Sequence, residues 1–402
     1  MSIRPGLRIL HVTDASSSGV LTAVTTIARQ QSEDSHFERV VFAYVLRPDS
    51  PSHEAIQDLA GPGVEVQRWS ARLSGRRLLD LCLALRSRLR PGAFDIVHLH
   101  SSRAGLLGRW VALLSGYRRR ALYSPHAYAF AYAHHSTPKR LALWALELAG
   151  YVAGRRLVLN SASEQRIARR WFPGSLTAVL PNAVDVAGLR RLPRQVDEQH
   201  PSFAHVGRIA PAKDPALFAE VASRVAERLS GTAITPQARW LGEGDRSELG
   251  PHADLVAVSG WLTPSELRRE LATVSVLLFT SRGEGMPMAV LEAQAIGLPV
   301  VASRVTGVVD LITDEQTGLL AESADELTDA LVRVLTDPGL ATRLGAAAAA
   351  QADEFDRSRT AQRSLDAYQT LVPAVAALES AAEAGSGAVP GAGSETGSGA
   401  ET

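Results

Sequence analysis

Short apolar runs alternate along this chain with stretches whose apolar residues recur every three or four positions. "LRILHVTD" (7–14) reads as a strand, "GVLTAVTTIARQQ" (19–31) as a helix and "ERVVFAYVL" (38–46) as the next strand. "RRLLDLCLALRSRLR" (76–90) sets Leu78, Leu81, Cys82, Leu85 and Leu89 on one helical face. A strand in "FDIVHLHS" (94–101), a helix in "AGLLGRWVALLSG" (104–116) and strands in "RALYSPHA" (120–127) and "RLVLNSASE" (156–164) continue the alternation. Past "TAVLPNAVD" and the polar, Pro-containing "RRLPRQVDEQHP", the pattern restarts. Strands are expected at 202–209, 238–244, 255–261, 276–281, 299–303 and 318–322, with helices at 215–229, 263–274, from about 287, after 322 to about 350, and at 358–372.

Repeated strand–helix alternation predicts parallel sheets covered by helices on both faces. The expected fold class is therefore α/β, with two Rossmann-like parallel-sheet domains facing across a cleft. They span 1–180 and 201–355, joined by a linker over 181–200 and followed by a helical segment over 356–375. Residues 380–402 are Ala, Gly, Ser and Glu with Val389 the sole bulky apolar residue, so disorder is expected there.

Length and composition sharpen this picture. At 402 residues with 46% hydrophobic content, the chain fits two buried cores rather than one, and a mainly disordered protein is excluded. The single cysteine, Cys82, lies in an apolar run and reads as packing, which removes disulfide frameworks and cysteine zinc sites. A cytoplasmic setting is expected, since the N-terminus has no apolar signal-peptide core and no run nears the ~20 apolar residues of a membrane span. Zero net charge conceals an asymmetry: residues 1–180 carry 24 Lys and Arg against 12 Asp and Glu, and residues 181–402 carry 18 against 30. Arginines at 76, 77, 86, 88, 90 and 118–120 suggest that the basic half meets an acidic or membrane-borne partner at the inner face of a membrane. No motif supports nucleic-acid binding.

In open parallel sheets ligands bind beyond the carboxyl ends of the strands. The loops after 14, 100, 126, 209, 244, 261 and 281 are thus expected to face the cleft. In "HVGRIAPAKD", Arg208 and Lys213 follow a strand and suit a diphosphate. "LGEGD" follows the next, where Gly242 and Gly244 permit close backbone approach. "SRGEGMPMAVLEAQAIGLPVVASRV" (281–305) is richer. Glu284 sits in a Gly-rich turn, Pro287 suits a first helical turn, Glu292 lies on the helix and Gly297 can end it. The helix start offers free N–H groups to a phosphate, Glu284 can accept from sugar hydroxyls, and Glu292 can bind the two vicinal hydroxyls of a ribose. His98 and His100 alternate onto one strand face, and no third metal ligand is evident.

In this order and spacing, "VGRIAPAKD", "GEGD", "SGW" and the 281–305 stretch resemble the donor-binding domain of the retaining glycosyltransferases of family 4, whose architecture is the two-Rossmann GT-B fold. "LPNAVD" (180–185) resembles that family's interdomain motif, with Ala183 at the usual Gly. "HLHSSRAGLLGR" and "SPHAYAF" resemble segments of members that build bacterial surface polysaccharides. The resemblance implies His126, Arg208, Lys213 and Glu284 as catalytic. It implies donor contacts from Gly19, Asn182, Gly207, Gly242, Glu243, Gly285, Met286, Pro287, Met288 and Glu292. It also implies a nucleotide-sugar co-substrate, a glycan or lipid-linked acceptor, and a helix over 358–372 that crosses back onto the N-terminal domain; His100, Ser101 and Arg103 are expected to line the acceptor side. One departure stands in the first loop, where "DASSSGV" puts Ser18-Gly19 in place of a Gly-Gly pair. No D-x-D pair follows a strand, so neither a metal nor another cofactor is expected. A nucleotide-sugar epimerase and a non-catalytic binding subunit remain as alternatives; a nicotinamide dehydrogenase is disfavoured because no G-x-G-x-x-G follows a strand.

Overall fold

The computed structural model describes residues 6–15, 18–48, 50–70, 77–132, 134–197 and 200–375; the tail over 380–402 and Arg76 lie outside the described residues. The first unit runs β1 (Leu7–Thr13), α1 (Ser18–Ser32), β2 (Phe37–Val45), α2 (His53–Ala60), β3 (Val64–Ser70), α3 (Arg77–Arg88), β4 (Ile96–His100), α4 (Ser102–Leu114), β5 (Ala121–Ser124), α5 (Thr137–Ala153), β6 (Arg156–Leu159), α6 (Ala162–Trp171) and β7 (Leu176–Val179). A short α7 (Val186–Arg190) leads into the second unit. That unit comprises β8 (Ser202–Val206), α8 (Pro215–Arg228), β9 (Gln237–Leu241), β10 (Val256–Val258), α9 (Pro264–Ala272), β11 (Val276–Phe279), α10 (Met288–Ala295), β12 (Val300–Ser303), β13 (Leu319–Ala321), α11 (Ala324–Thr336) and α12 (Pro338–Ala352). The described chain finishes with α13 (Thr360–Leu371).

Both sheets are parallel, in the orders β3-β2-β1-β4-β5-β6-β7 and β10-β9-β8-β11-β12-β13. Strand order reverses between β1 and β4 in one and between β8 and β11 in the other, which are the positions where such sheets open a ligand crevice. Side-chain alternation divides the first core in two. Leu10, Val12, Val97 and Leu99 pack toward α3, α4 and α5, whereas Ile9, Phe42, Ile96 and Leu122 pack toward α1 and α13. Leu365, Tyr368 and Leu371 of α13 are buried in that second layer, so the helix that follows the second unit belongs to the core of the first. At roughly 1.5–3 kcal/mol for each large apolar side chain buried, this anchorage is substantial.

Several elements differ from the sequence-based expectation. The strand expected over 156–164 stops at Leu159, because Ser161 caps α6 by accepting from the Glu164 N–H; this local capping signal overrides the apolar run. Helix α10 starts at Met288, and Pro287 is its cap residue rather than part of its first turn. Helices α2 and α5 and strands β3 and β7 were not anticipated. On α5 the reason is visible, since Leu141, Leu146 and Val152 are exposed and blur the amphipathic stripe. Cys82 is partly buried against the first core.

Candidate active site

The loops after β8 and β11 meet where the second sheet reverses. Lys213 ends a short 3-10 turn, and its Nζ donates to Glu284 Oε1 at 2.5 Å. The ammonium also lies 5.4 Å above the Phe279 ring. Next to it, Asp214 holds a φ of 51° and accepts twice from Arg282, at 2.6 and 2.7 Å. Arg208 is exposed one residue after Gly207. Backbone packing here is tight: at Gly242, with φ 151°, a Cβ would fall 2.1 Å from the Gly207 carbonyl oxygen. The Glu243 carbonyl accepts from Ile209 N at 2.8 Å while its side chain stays exposed, and no described contact takes it to Lys213 or Glu284. Glu292 is buried on α10 and faces Arg268 at 3.4 Å; burial pushes its carboxyl up and Arg268 opposes that.

The opposing wall is built from the ends of β4 and β5. Ser101, His126 and Ala127 have φ of 71°, 58° and 115°. Non-glycine backbone in this region costs on the order of 1–3 kcal/mol per residue and persists only where its surroundings impose it. Buried carboxylates supply the constraint. Glu164 accepts from Ala127 N and from Asn160 N, each at 2.8 Å. Asp14 accepts from Ala104 N at 3.1 Å and from the Ser101 hydroxyl. Burial raises the Glu164 carboxyl to about 7, against the pull of its two N–H partners.

The walls touch through small residues and polar pins. A Cβ on Gly285 would sit 2.9 Å from His126 C and 3.0 Å from its carbonyl O, and one on Gly283 would meet the Tyr132 ring at 2.6 Å. Asn182 is buried, donates to Met286 O at 2.8 Å and accepts from Asn160 at 2.5 Å. Ser163 N donates to Asp310 at 3.0 Å, and Gly307 N donates to Ser163 Oγ at 3.0 Å. Gly19, opening α1, lies within 3.7 Å of Met288 Cγ, counting its missing Cβ. A cavity between the walls is lined by Ala127, Tyr132, Glu164, Arg282, Gly283 and Glu284. A loop of cations and carboxylates therefore faces His126 across a narrow crevice.

Comparison with known proteins identifies the architecture. The family model described as glycosyltransferase family 4 matches residues 17–187, and one described as glycosyl transferases group 1 matches 200–337. A D-inositol 3-phosphate glycosyltransferase of Kribbella flavida is 31% identical over 361 residues, 79% of this chain and 83% of that protein. This chain belongs to glycosyltransferase family 4. Another relative, an Escherichia coli UDP-Gal:alpha-D-GlcNAc-diphosphoundecaprenol alpha-1,3-galactosyltransferase, is 28% identical over 63% of this chain and 70% of its own length. Among solved structures, Anabaena HepE in complex with UDP and glucose aligns with TM-score 0.71 and 15% identity, covering 90% of this chain and 98% of HepE. Sucrose-phosphate synthase from Thermosynechococcus elongatus aligns with TM-score 0.74 and 18% identity over 91% and 100%. Those likenesses match the GT-B fold of two Rossmann-like units.

In this family 4 chain, Lys213 and Glu284 form one ion pair, and Gly285, Met286 and Pro287 are buried where the two walls touch. Met288 opens α10 beside Gly19, and Arg103 is exposed on the first turn of α4. His100 departs from the acceptor-side expectation. It is fully buried because its strand position points it under α1, where it bonds His126 Nε2 at 3.0 Å. The third metal-capable histidine that the sequence reading found lacking is also present: His11 pairs with His98 across β1 and β4, and the ligand nitrogens of His11, His98 and His100 lie within 4.8 Å of one another. All of these nitrogens are engaged in hydrogen bonds. Sequence reasoning missed His11, Asp14, Gln31, Asn160 and Glu164. Only Glu164 carried a local signal, the Ser-x-x-Glu capping pattern in "SASE".

Proposed function

We propose that this chain transfers a sugar from a uridine diphosphate sugar to a hydroxyl acceptor, with retention at the anomeric carbon. The observation that carries the reading is the Lys213–Glu284 pair, held where the second sheet reverses and facing His126 across Gly285. Arg208, Lys213 and the first-turn N–H groups of α10 would hold the donor diphosphate and take up its charge as it leaves, with no divalent metal required. A diphosphate gives Lys213 a second anionic partner, which frees Glu284 to accept from sugar hydroxyls. Glu292 would bind the ribose. In the chemical step the bond from the anomeric carbon to the diphosphate oxygen breaks, and the acceptor oxygen bonds that carbon from the same face. The acceptor proton passes to the leaving diphosphate. Uridine as the base is supported by the UDP bound in HepE and by the UDP-galactose named for the Escherichia coli relative.

For the acceptor we propose a diphosphate-linked lipid sugar met at the cytoplasmic membrane face, in cell-envelope polysaccharide synthesis. The packed helices α3, α4 and α5 expose Leu79, Leu83, Trp110, Leu114 and Leu141, with Arg86 and Arg88 on the same set. No helix among the described residues is long and apolar enough to cross a membrane, so contact would be peripheral. The test is a thermal-shift panel of nucleotides and UDP-sugars, followed by incubation of the best donor with a lipid-diphosphate sugar in the presence of EDTA. An α-linked product made in EDTA is expected from UDP-α-sugars. Donor interconversion without acceptor would instead indicate an epimerase, and donor binding without turnover a binding subunit.

A further inference from the structure

Between the first sheet and helices α1 and α13 runs a buried chain of side chains that ends at His126. Its links are His126 Nε2 to His100 Nδ1 at 3.0 Å, His100 Nε2 to His11 Nδ1 at 3.0 Å, and His11 Nε2 to Gln31 Oε1 at 2.8 Å. From Gln31 the chain forks, its amide nitrogen reaching Ser364 Oγ at 2.9 Å and Tyr368 OH at 3.0 Å. Tyr368 OH then meets His98 Nδ1 at 3.0 Å, and His98 Nε2 meets Ser124 Oγ at 2.8 Å.

Two backbone carbonyls decide where every proton sits. The Ser364 hydroxyl donates to Ala361 O at 2.7 Å, so it can only accept from Gln31, which turns the amide oxygen toward His11. At the other end Ser124 donates to Val158 O at 2.6 Å, so it accepts from His98 Nε2–H. His98 Nδ1 then accepts from Tyr368, whose oxygen is left to accept from Gln31. Both ends thus orient the Gln31 amide alike. Burial keeps these imidazoles neutral near pH 7, with His11 and His126 lowered to about 4 and His98 and His100 held well below 6.5. A neutral ring carries one N–H. His11 must donate from Nε2 to Gln31, so its Nδ1 accepts from His100 Nε2–H, and His100 Nδ1 accepts from His126 Nε2–H. Nδ1 of His126 is left as a lone pair, and among the described residues nothing donates to it.

We propose that Gln31 is a positioning residue of the active site, acting through His11 and His100 to hold His126 as the Nε2–H tautomer with Nδ1 ready to accept from a hydroxyl of the transferred sugar. This rests on the glycosyl-transfer reading above. It gives α13 a task beyond packing, because Ser364 and Tyr368 orient the amide that sets the histidine two rings away. It also gives the three clustered histidines a use that needs no metal: each ring nitrogen bonds another ring or a neighbouring side chain, whereas a zinc ion would require those lone pairs about 2.0–2.1 Å from one centre.

The test is a nitrogen-detected ring correlation spectrum of the uniformly ¹⁵N-labelled full chain at pH 7.5, with the His126 signals assigned by their loss in His126→Gln. A protonated Nε2 and bare Nδ1 are expected. Gln31→Leu should give mixed or reversed tautomers at His126 and lower kcat/KM for UDP-glucose or UDP-galactose about tenfold, the scale of one hydrogen bond to substrate. Ser364→Ala, which keeps the Tyr368 anchor, should retain the tautomer. A wild-type His126 protonated at Nδ1, stoichiometric zinc in the purified protein, or a folded Gln31→Leu with unchanged ring signals and turnover would each overturn the proposal. Should Gln31→Leu fail to fold, the wild-type spectrum decides alone. The expected tautomer in a protein that turns over no nucleotide sugar would instead sink the glycosyl-transfer reading and leave the proton order standing.

Discussion

The wall formed by β8, β11 and α10 presents its chemistry on short loops of glycine and charge, whereas the wall formed by β4 and β5 presents His126 on strained backbone held by buried polar partners. In the first case the candidate groups are partly exposed and paired with each other, as in Lys213 and Glu284 at 25% and 17% side-chain exposure. In the second they are braced from behind by Glu164, His100 and Asp14. Substitution should therefore separate chemistry from stability: the charged wall fails in turnover, and the braced wall fails in folding.

Lys213→Ala should produce the largest effect. Removing one charge-stabilising group at a leaving diphosphate costs on the order of 10²–10³ in kcat, or about 3–4 kcal/mol. Stability should change by less than about 1 kcal/mol, since the pair is partly solvated. Steady-state kinetics beside a denaturant titration checks both halves. A mutant that unfolds while its remaining native fraction turns over normally would reverse the contrast.

Acidification should act on the braced wall. His11 has a folded pKa of about 4 against 6.5 unfolded, so between those values the unfolded chain binds a proton that the folded chain does not. Its contribution is intact above pH 6.5 and is lost as pH falls toward 4, by about 3 kcal/mol. His98, His100 and His126 act in the same direction. Glu164 opposes them: with a folded pKa near 7 and an ordinary value of 4.5, it keeps a proton that the unfolded chain has released, so its contribution fades as pH rises from 4.5 to 7. In the second unit buried His205 adds to the histidines and buried Glu292 to the opposing carboxyls, so five lowered histidines against two raised carboxyls predict a net loss of stability below pH 6.5. Urea midpoints from pH 7.5 to 4.5 measure it, and a midpoint that climbs on acidification would contradict the neutral histidine chain.

How much could be read from residues alone follows the same division. The charged wall comes from two short stretches: Arg208 and Lys213 follow β8, and Glu284, Gly285, Pro287 and Glu292 lie in a single loop and helix, so within each stretch spacing along the chain already approximates spacing in the crevice. The alternation of strands and helices likewise foretold both parallel sheets. The braced wall draws His11 from β1, Gln31 from α1, His100 from β4, Glu164 from α6 and Tyr368 from α13. No linear pattern links these positions. His11 becomes a neighbour of His98 and His100 only once β1 and β4 pair in register, and Tyr368 only once α13 crosses back. His100 reads as a surface residue from its place at a strand end, yet the alternation that buries His98 buries it as well.

Glu164→Gln tests the brace directly. At pH 8, above its raised pKa, the carboxylate accepts from Ala127 N with one oxygen and from Asn160 N with the other, and an amide can serve only one of them because its NH₂ would face a second donor. One buried N–H is then left unpaired, at about 1–3 kcal/mol. Chemical denaturation should show that loss. Turnover of the folded fraction should fall less than in Lys213→Ala, because His126 keeps its bond to His100.

The smallest and most discriminating change is Gly285→Ala, which alters neither charge nor a hydrogen-bonding side chain. Its φ is not in the left-handed region, so the backbone tolerates alanine, and the conflict lies between walls: the new methyl would sit 2.9–3.0 Å from the His126 carbonyl group. That contact involves main chain on both sides and cannot be relieved by a side-chain rotation, so the crevice must open by some tenths of an ångström. Each unit keeps its own core, and the denaturation midpoint should hardly move. What should suffer is the alignment of a sugar held by both walls, at roughly tenfold in kcat/KM, or about 1.4 kcal/mol. On the proposed reading UDP would be gripped mainly by the charged wall, so it should give nearly the wild-type thermal shift. If UDP binding falls as far as kcat/KM does, the nucleotide depends on both walls, and the division of labour between them is wrong.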